Sequence, residues 1–365
     1  MSFIDHFSII EDPRKDINVK YDFIDILFLT VSAVISGAEG WQDIEDFGHD
    51  KLDWLRLHRP FKQGVPVDDT IARIIRAISP KQFNQAFINW VNEVRRDNGK
   101  EQIAIDGKTL RHSFDGEHHS ALHSITAWSK SNGLVLAQAR SEGKKNENAS
   151  VLDMLDTLNI SGAIVSADAM NTQKKIVAKI LKNGGDYVLC VKNNHKKLKE
   201  EIAAYFHKVT RDRPEHIQCH EEIDSGHGRI ESRYYRQLRM NEWVGEGDNW
   251  QGIQTIIEVT RKRIMKDKEQ QETLYYISSL LPDILQISDA IRGHWEVENK
   301  VHWVLDVTFK EDDCRIRKED GAENVGIIRR FVLNLSRLHP SKISMRRKLK
   351  RAARVDEFRT EIIFG

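Results

Sequence analysis

Asp106 closes the run Ile103-Ala104-Ile105 and is followed by Gly107-Lys108, and Asp168 stands in the same place at the end of "GAIVSADA". An aspartate at the C-terminal end of a buried strand either caps a turn or faces a ligand. The glycine after Asp106 suits the second reading, because a backbone without Cβ can be approached closely. Two such carboxylates on neighbouring strands repel each other unless a cation sits between them. Hard oxygen donors select Mg2+ or Mn2+ over zinc. A third carboxylate is normally needed to hold two ions, about 3.5–4 Å apart, for in-line displacement at phosphorus.

The stretch "DAIRGHWEVENKVHWVLDV", residues 289–307, offers two candidates for that third acid, Glu296 and Glu298. At about 100° per residue, Ile291, His294, Trp295, Val301, His302 and Leu305 gather around Glu298, which predicts that it lies on the buried face. Glu296 falls on the opposite face, four residues from Arg292 and from Lys300, where exposed ion pairs form. A carboxylate on a buried face needs a partner, which a metal would supply and a histidine or arginine could equally supply. The same projection places Trp295 in the core. Trp303 falls on the Glu296 side, open to a DNA base or to another segment.

These residues need a scaffold. A chain of 365 residues, 40% hydrophobic and 30% charged, can bury a sizeable core and predicts two or three structural units. Residues 1–97 read as helical: "YDFIDILFLTVSAVISGA" has helical spacing and is too short and too interrupted to span a bilayer. "DDTIARIIRAI" starts at an Asp68 or Asp69 cap, and "SPKQFNQAFINWVNEV" has Ser79 and Pro80 at its start. This pair reads either as a DNA-reading helix-turn-helix or as ordinary helix packing.

From Glu101 the texture alternates. "EQIAIDGKTLR" predicts a strand ending at Asp106, and "HSITAWS" and "GLVLAQARS" a hairpin across Ser131-Asn132-Gly133. A helix, a strand to Asp168, a helix stopped at Gly184-Gly185 and the strand "DYVLCVK" complete a mixed α/β sheet flanked by helices, over 98–206. A second β-rich block covers 207–282, and helix returns over 283–340. Cys190, Cys219 and Cys314 form no CxxC pair, and the N-terminus lacks a signal peptide's basic start and apolar run, which fits a reducing cytoplasm and no membrane.

The net charge is +1, so a nucleic-acid reading must rest on local clusters. The tail, 341–365, opens with "SKISMRRKLKRAAR", in which Lys342, Arg346, Arg347, Lys348, Lys350, Arg351 and Arg354 face no acid before Asp356. Such a helix either binds phosphates without regard to sequence or is simply solvated. "RKRIMKDK", at 261–268, faces DNA or solvent equally. Lys108, Arg111 and Lys192 are further phosphate-contact candidates, each equally a surface cation.

Taken together, "ISGAEGWQDIEDFG", "PVDDTIARI", "IAIDGKTLRHS", "DAMNTQ", "GGDYVLCVKNN", "HGRIESR" and "IRGHWEVENKVHWVLDVTFKEDDCRIR" resemble the H-repeat-associated insertion-sequence transposases, DDE transposases with a ribonuclease-H-like core. The resemblance spans nearly the whole chain. It implies that Asp106, Asp168 and Glu298 are the catalytic, metal-binding acids and that two Mg2+ or Mn2+ ions are held. It also implies that 207–282 is an insertion in the core, and that the substrates are transposon-end and target DNA, bound by a homodimer at the nucleoid. Related transposases carry Tyr, Arg and Lys around the glutamate, where this chain has Ile291, His294 and Leu305. Those roles are not carried over, and Arg292, Lys300 or His302 are candidates to replace them. Three activities follow: end cleavage with strand transfer, DNA binding without cleavage, or hydrolysis of RNA–DNA hybrids, against which the long insertion and the N-terminal domain count.

Overall fold

The apolar periodicities become helices and strands largely where the sequence places them. The computed structural model describes residues 3–14, 19–96, 100–110, 123–141, 146–226, 229–240, 249–265 and 268–365. In chain order these contain helices α1 (Phe3–Phe7), α2 (Phe23–Ile35), α3 (Trp41–Asp50), α4 (Leu52–His58), α5 (Asp68–Ala77) and α6 (Pro80–Val94). Strands β1 (Gln102–Thr109), β2 (His123–Ser129) and β3 (Leu134–Ser141) follow, then α7 (Glu147–Thr157), β4 (Ile164–Ala167), α8 (Lys174–Lys182), β5 (Asp186–Val191) and α9 (Lys196–Asp212). Four long strands come next, β6 (Gln218–Gly226), β7 (Arg229–Arg239), β8 (Thr255–Met265) and β9 (Lys268–Ser278). The chain ends in α10 (Ile284–His294), a π turn at Glu298–His302, α11 (Trp303–Val307), α12 (Gly321–Leu338), α13 (Met345–Arg354) and α14 (Asp356–Phe364).

Two units result, one of Met1–Arg96, Gly107–Glu147 and Glu298–Gly365, the other of Asp97–Asp106 and Asn148–Val297. The first is organised by α12, against which α2, α5, α6, β3 and α14 pack. Phe331 on α12 meets Phe7 at 4.9 Å and Trp90 at 4.6 Å, an aromatic cluster that welds three helices. Two buried asparagines of α12 bond the backbone of its neighbours. Asn324 Nδ2 donates to the carbonyls of Ile75 and Ile78 at the end of α5, which no helical N–H can reach. Asn334 takes the N–H of Val135 and donates to its carbonyl, beside the bulge at Ala127 and Trp128 where the β2–β3 pairing skips a residue.

The helix pair α5–α6 forms as expected, with Ser79 at the N-cap and Pro80 at N1, although α5 is capped from Val67 and carries Asp68 and Asp69 in its first turn. Helix α6 buries Phe83, Phe87, Ile88, Trp90 and Val91 against β3, α1 and α12. Its exposed face bears Lys81, Gln85, Asn89, Asn92 and Glu93.

In the second unit the strand order is β1-β4-β5-β9-β8-β7-β6. Strands β1, β4 and β5 are parallel, whereas β9 joins β5 antiparallel through Val188↔Ser278 to Val191↔Tyr275. The 207–282 block therefore extends the same sheet, and its strands begin only after α9 has run to Asp212. Helix α10 covers this junction, burying Ile287, Ala290 and Ile291 against Val188, Tyr235, Ile257 and Tyr276.

Strand β1 does not stop at Asp106 but runs on to Thr109, because its last residues continue beside β2. Gly107 is needed there for a reason other than ligand approach. A Cβ at Gly107 would stand 2.5 Å from His123 Nε2 and 2.9 Å from Glu147 Oε1. These two buried side chains pair at 2.8 Å, with Thr109 Oγ1 on the other ring nitrogen at 3.0 Å. Replacing Gly107 with Ala is expected to force this pair apart and to lower unfolding stability by about 1–3 kcal/mol, read as a fall in denaturation midpoint.

Candidate active site

In the second unit the two aspartates stand at matching positions of adjacent strands, Asp106 within β1 and Asp168 just past the end of β4. The parallel register pairs Ile105 with Ala167, so Asp106 and Asp168 are the next residues on adjacent strands, at a spacing of about 4.8 Å between chains. Both are half-buried. Asp168 ends β4 in extended conformation and caps a short 3-10 turn, its Oδ1 accepting from Asn171 N at 3.1 Å and Asn171 Nδ2 at 3.0 Å. The turn is itself clamped to β5 and to the segment after it. Thr172 Oγ1 donates to Cys190 O at 2.6 Å, His195 Nε2 to Thr172 O at 2.6 Å, and Asn194 Nδ2 to Ala169 O.

These supporting residues were not singled out by sequence reasoning. The Asp-x-x-Asn spacing of "DAMN" carried a cap signal. The partners from "KNNH" carried none, since they meet the turn only through the β4–β5 pairing.

Behind β4, Ser166 Oγ contacts Gln102 Nε2 at 3.1 Å and His294 Nδ1 at 3.3 Å, and Gln102 also donates to the carbonyl of Ala290. These bonds seat α10 on the two strands that carry the aspartates. Arg292 does not pair with Glu296. It reaches Asp224 at 2.9 Å and Glu222 at 3.5 Å, both on β6, so its charge is engaged within the unit.

Glu298 lies in the first unit, and its surroundings correct the helical projection. Helix α10 ends at His294 with Trp295 as its C-cap, and the chain then winds as a π turn from Glu298 to His302. A π turn holds more residues than an α turn, so a projection at constant angle loses phase across it. The buried stripe is Val297, Val301 and Leu305, and Glu298 stands beside it, more exposed than Glu296. Trp295 is 52% exposed and is not a core residue; Trp303 is exposed as expected.

Glu298 is nevertheless held. Its Oε2 lies 3.0 Å from Nδ1 of His302, whose ring is buried. The hydrogen bond to His302 holds the Glu298 carboxyl below its usual range, against the opposing effect of burial and with help from the charges of His302 and Lys108.

The cations sort into two kinds. Lys108 is half-buried and surrounded by carboxylates, Asp306, Asp312 at 3.3 Å and Glu311 at 3.4 Å. Lys348 is buried, its Nζ donating to Ser336 O at 2.6 Å and His339 O at 2.9 Å, where it closes the end of α12. Lys192, Lys300, Arg346, Arg347, Lys350 and Arg351 are exposed. On α13 the buried face is Lys348, Leu349 and Ala352, which leaves the other cations outward. Arg111 and His112 lie outside the described residues.

Residues 4–91 match the DDE_Tnp_1-associated family model, and residues 97–335 match the Transposase DDE domain. Across 99% of its length the chain is 39% identical to "H repeat-associated putative transposase YhhI" of Escherichia coli (strain K12), 97% of which is covered. The chain belongs to the H-repeat-associated DDE transposase family. It is also 39% identical to "Putative transposase YncI" of Escherichia coli O157:H7, over 96% of this chain and 92% of that one. Among solved structures, the piggyBac transposase synaptic complex with hairpin DNA aligns with all of this chain and 79% of its own, at 11% identity and a TM-score of 0.42, too distant to inform the site. Among the described residues of this transposase-family chain, no helix is long and apolar enough to cross a membrane.

One family-motif residue, Glu311 of "TFKEDDCRIR", is fully buried and bonds Arg330 Nη1 at 2.7 Å. Burial would raise its pKa, but the charges of Arg330, Lys108 and Arg329 prevail and draw it down from 4.5 to about 2. The folded-state value is the depressed one, so the stabilisation is present above the unfolded value of about 4.5 and is lost as pH falls toward 2. The wild-type chain is expected to lose on the order of 3 kcal/mol over that window from this group. Urea melts of Glu311→Gln should show a lower stability at neutral pH and a correspondingly shallower acid dependence.

Proposed function

We propose that the chain is a DNA transposase that cleaves phosphodiester bonds at the ends of an insertion sequence and joins the freed 3′ end to target DNA, with Asp106, Asp168 and Glu298 as its acids. The observation that carries the reading is the matched placement of Asp106 and Asp168 on adjacent parallel strands, with Asp168 braced by Asn171. A ribonuclease-H-like core fits the chain order, in which the hairpin β2–β3 follows β1, the parallel partners β4 and β5 come next, and the π turn with the third acid follows α10.

The donor chemistry fits a divalent metal. Asp106 and Asp168 bring two hard carboxylates to one strand spacing, and like charges so close favour an intervening cation. Asp106, Asp168 and Glu298 would hold Mg2+ or Mn2+, in two ions on the family pattern. When bound, such ions polarise the attacking water or 3′-hydroxyl and relieve charge on the leaving oxygen. The protein's own contribution is positional. The Asn171 cap and the Thr172, Asn194 and His195 contacts fix Asp168, and His302 keeps Glu298 ionised and oriented.

The outward cations of α13, with Lys192 and Lys300, supply sequence-independent contacts to DNA phosphates, and a homodimer on paired ends is the matching assembly. Soluble DNA-bound protein at the nucleoid is the corresponding location.

With Mg2+ and DNA bearing the flanking inverted repeats, end-specific nicking is expected. It should disappear in Asp106→Ala, Asp168→Ala and Glu298→Gln proteins that melt as the wild type does. End binding by the wild-type chain without cleavage in Mg2+ or Mn2+ would instead establish the non-cleaving, DNA-binding reading. For the tail, Arg347→Gln and Lys350→Gln should each reduce the slope of log affinity against log salt by about 1. Lys348→Met should leave that slope unchanged while lowering the melting temperature.

A further inference from the structure

Parts of two sequence segments that mark the family carry none of the proposed acids, and within the first unit they meet. "GAEGW" brings Glu39, Gly40 and Trp41 to the start of α3, and "KEDDCRI" brings Lys310 and Asp313–Ile316 to the same cleft, with Arg76 of α5 between them. The cavity is about 330 Å3, at the small end of ligand sites, where about 300–1,000 Å3 is usual. It has room for one nucleotide unit.

Its chemistry is that of an oxyanion site with an aromatic wall. Arg76, Lys310 and Arg315 line it, and among the described residues none of the three side chains has a hydrogen-bonded or ion-paired acid. That sets them apart from Lys108 and Arg292, whose charges are engaged by neighbouring carboxylates. The three cations outnumber the two acids at the rim, Glu39 and Asp313. Arg76 stacks its guanidinium 5.8 Å from the Trp41 ring centre, and its stem lies against Gly321, where a Cβ would come within 2.9 Å of its Cγ. The side chain is thus aimed by packing rather than by a salt bridge. Trp41 Nε1 and Arg76 Nε are both screened from solvent without an acceptor among the described residues, a state that leaves hydrogen-bonding capacity unused. The end of α3 is not itself the attraction, because Asp43 already accepts from the N–H groups of Glu39 and Gly40.

We propose that this cleft binds a nucleoside phosphate, with Arg76, Lys310 and Arg315 meeting the phosphate oxygens and the Trp41 indole forming the wall for the sugar or base. Phosphate suits guanidinium forks held in place beforehand, and an indole beside them favours a nucleoside over inorganic phosphate. The phosphate is either part of a DNA strand or carried by a free nucleotide. The DNA source rests on the proposed function, whereas the cleft's affinity for a nucleotide does not.

The test uses the full chain without divalent metal, so that cleavage plays no part. Titrations of a fluorescent duplex by anisotropy, and of 2′-deoxyadenosine monophosphate and inorganic phosphate by calorimetry, compare the wild type with Lys310→Gln/Arg315→Gln. Both changed residues are exposed, and matched melting curves confirm that the variant folds. Cys314, at the cleft, gives a local readout: bound ligand should slow its alkylation and leave exposed Cys219 unaffected.

A tenfold or greater loss of duplex affinity, a salt slope reduced by about 2, and protection of Cys314 by duplex assign the cleft to a DNA strand. The same loss and protection with the mononucleotide alone assigns it to a free nucleotide. Equal binding of inorganic phosphate and mononucleotide overturns the indole's role. Unchanged affinity for every probe in the variant, with no protection of Cys314, overturns the cleft while leaving the transposase reading intact. A wild-type chain that binds no duplex at all sinks the DNA reading itself.

Discussion

The first unit depends on one buried charge. Glu311 has no access to water, and a carboxylate in that position is tolerable only if cations are brought to it. Arg330 comes from the middle of α12 and also approaches Ser124 and Thr126 of β2, at 3.4 Å each. Lys108 comes from the last residues of β1 and draws in Asp306 and Asp312 from the segment after the π turn. One ionic centre thus gathers the central helix, two strands and the segment that follows Glu298. Losing a single member would strand a charge without solvent, so the parts hold their positions jointly.

Much of the architecture was legible because it rests on local patterns. Alternation gave the strands, apolar spacing gave the helices, and the Ser79-Pro80 start and the Gly133 turn fell where their backbone preferences place them. Asp168 was legible as a strand end, whereas Asp106, read the same way, lies within a strand that runs on to Thr109. What could not be read depended on partners distant in sequence. Gly107 looked like a place for a ligand because nothing in the sequence says that His123 and Glu147 will occupy the space above it. The β-rich block looked separate because its junction with β5 is made by pairing across some ninety residues. The burial of Glu298 and Trp295 was misjudged because a wheel drawn with constant pitch sees neither the end of α10 at His294 nor the π turn that follows.

Cations show the same limit in another form. Lys108, Arg292 and Lys348 appear in the sequence as members of basic or motif stretches no different from Arg346 or Lys350. In the structure the first two are bound to carboxylates, and Lys348 closes the carbonyl end of a helix. A count of positive residues therefore overstates the surface that can meet a polyanion. The positions that remain outward on α13 and around Trp41 are a smaller set, selected by which charges the interior leaves over.

The bracing of the turn after β4 has a consequence for how a cation would be received. The backbone from Ala169 to Thr172 is tied by the Asn194 and His195 side chains beyond β5 and by Thr172's own hydroxyl to β5, so its freedom is lost when the chain folds. Nothing further has to be immobilised around Asp168 when a ligand arrives, and affinity is not diminished by ordering at that moment. On the proposed reading, preorganisation of the carboxylate is stored in residues that would not touch the ion, and a change at Asn194 or His195 would be felt as weaker binding at a position more than twenty residues away in the chain.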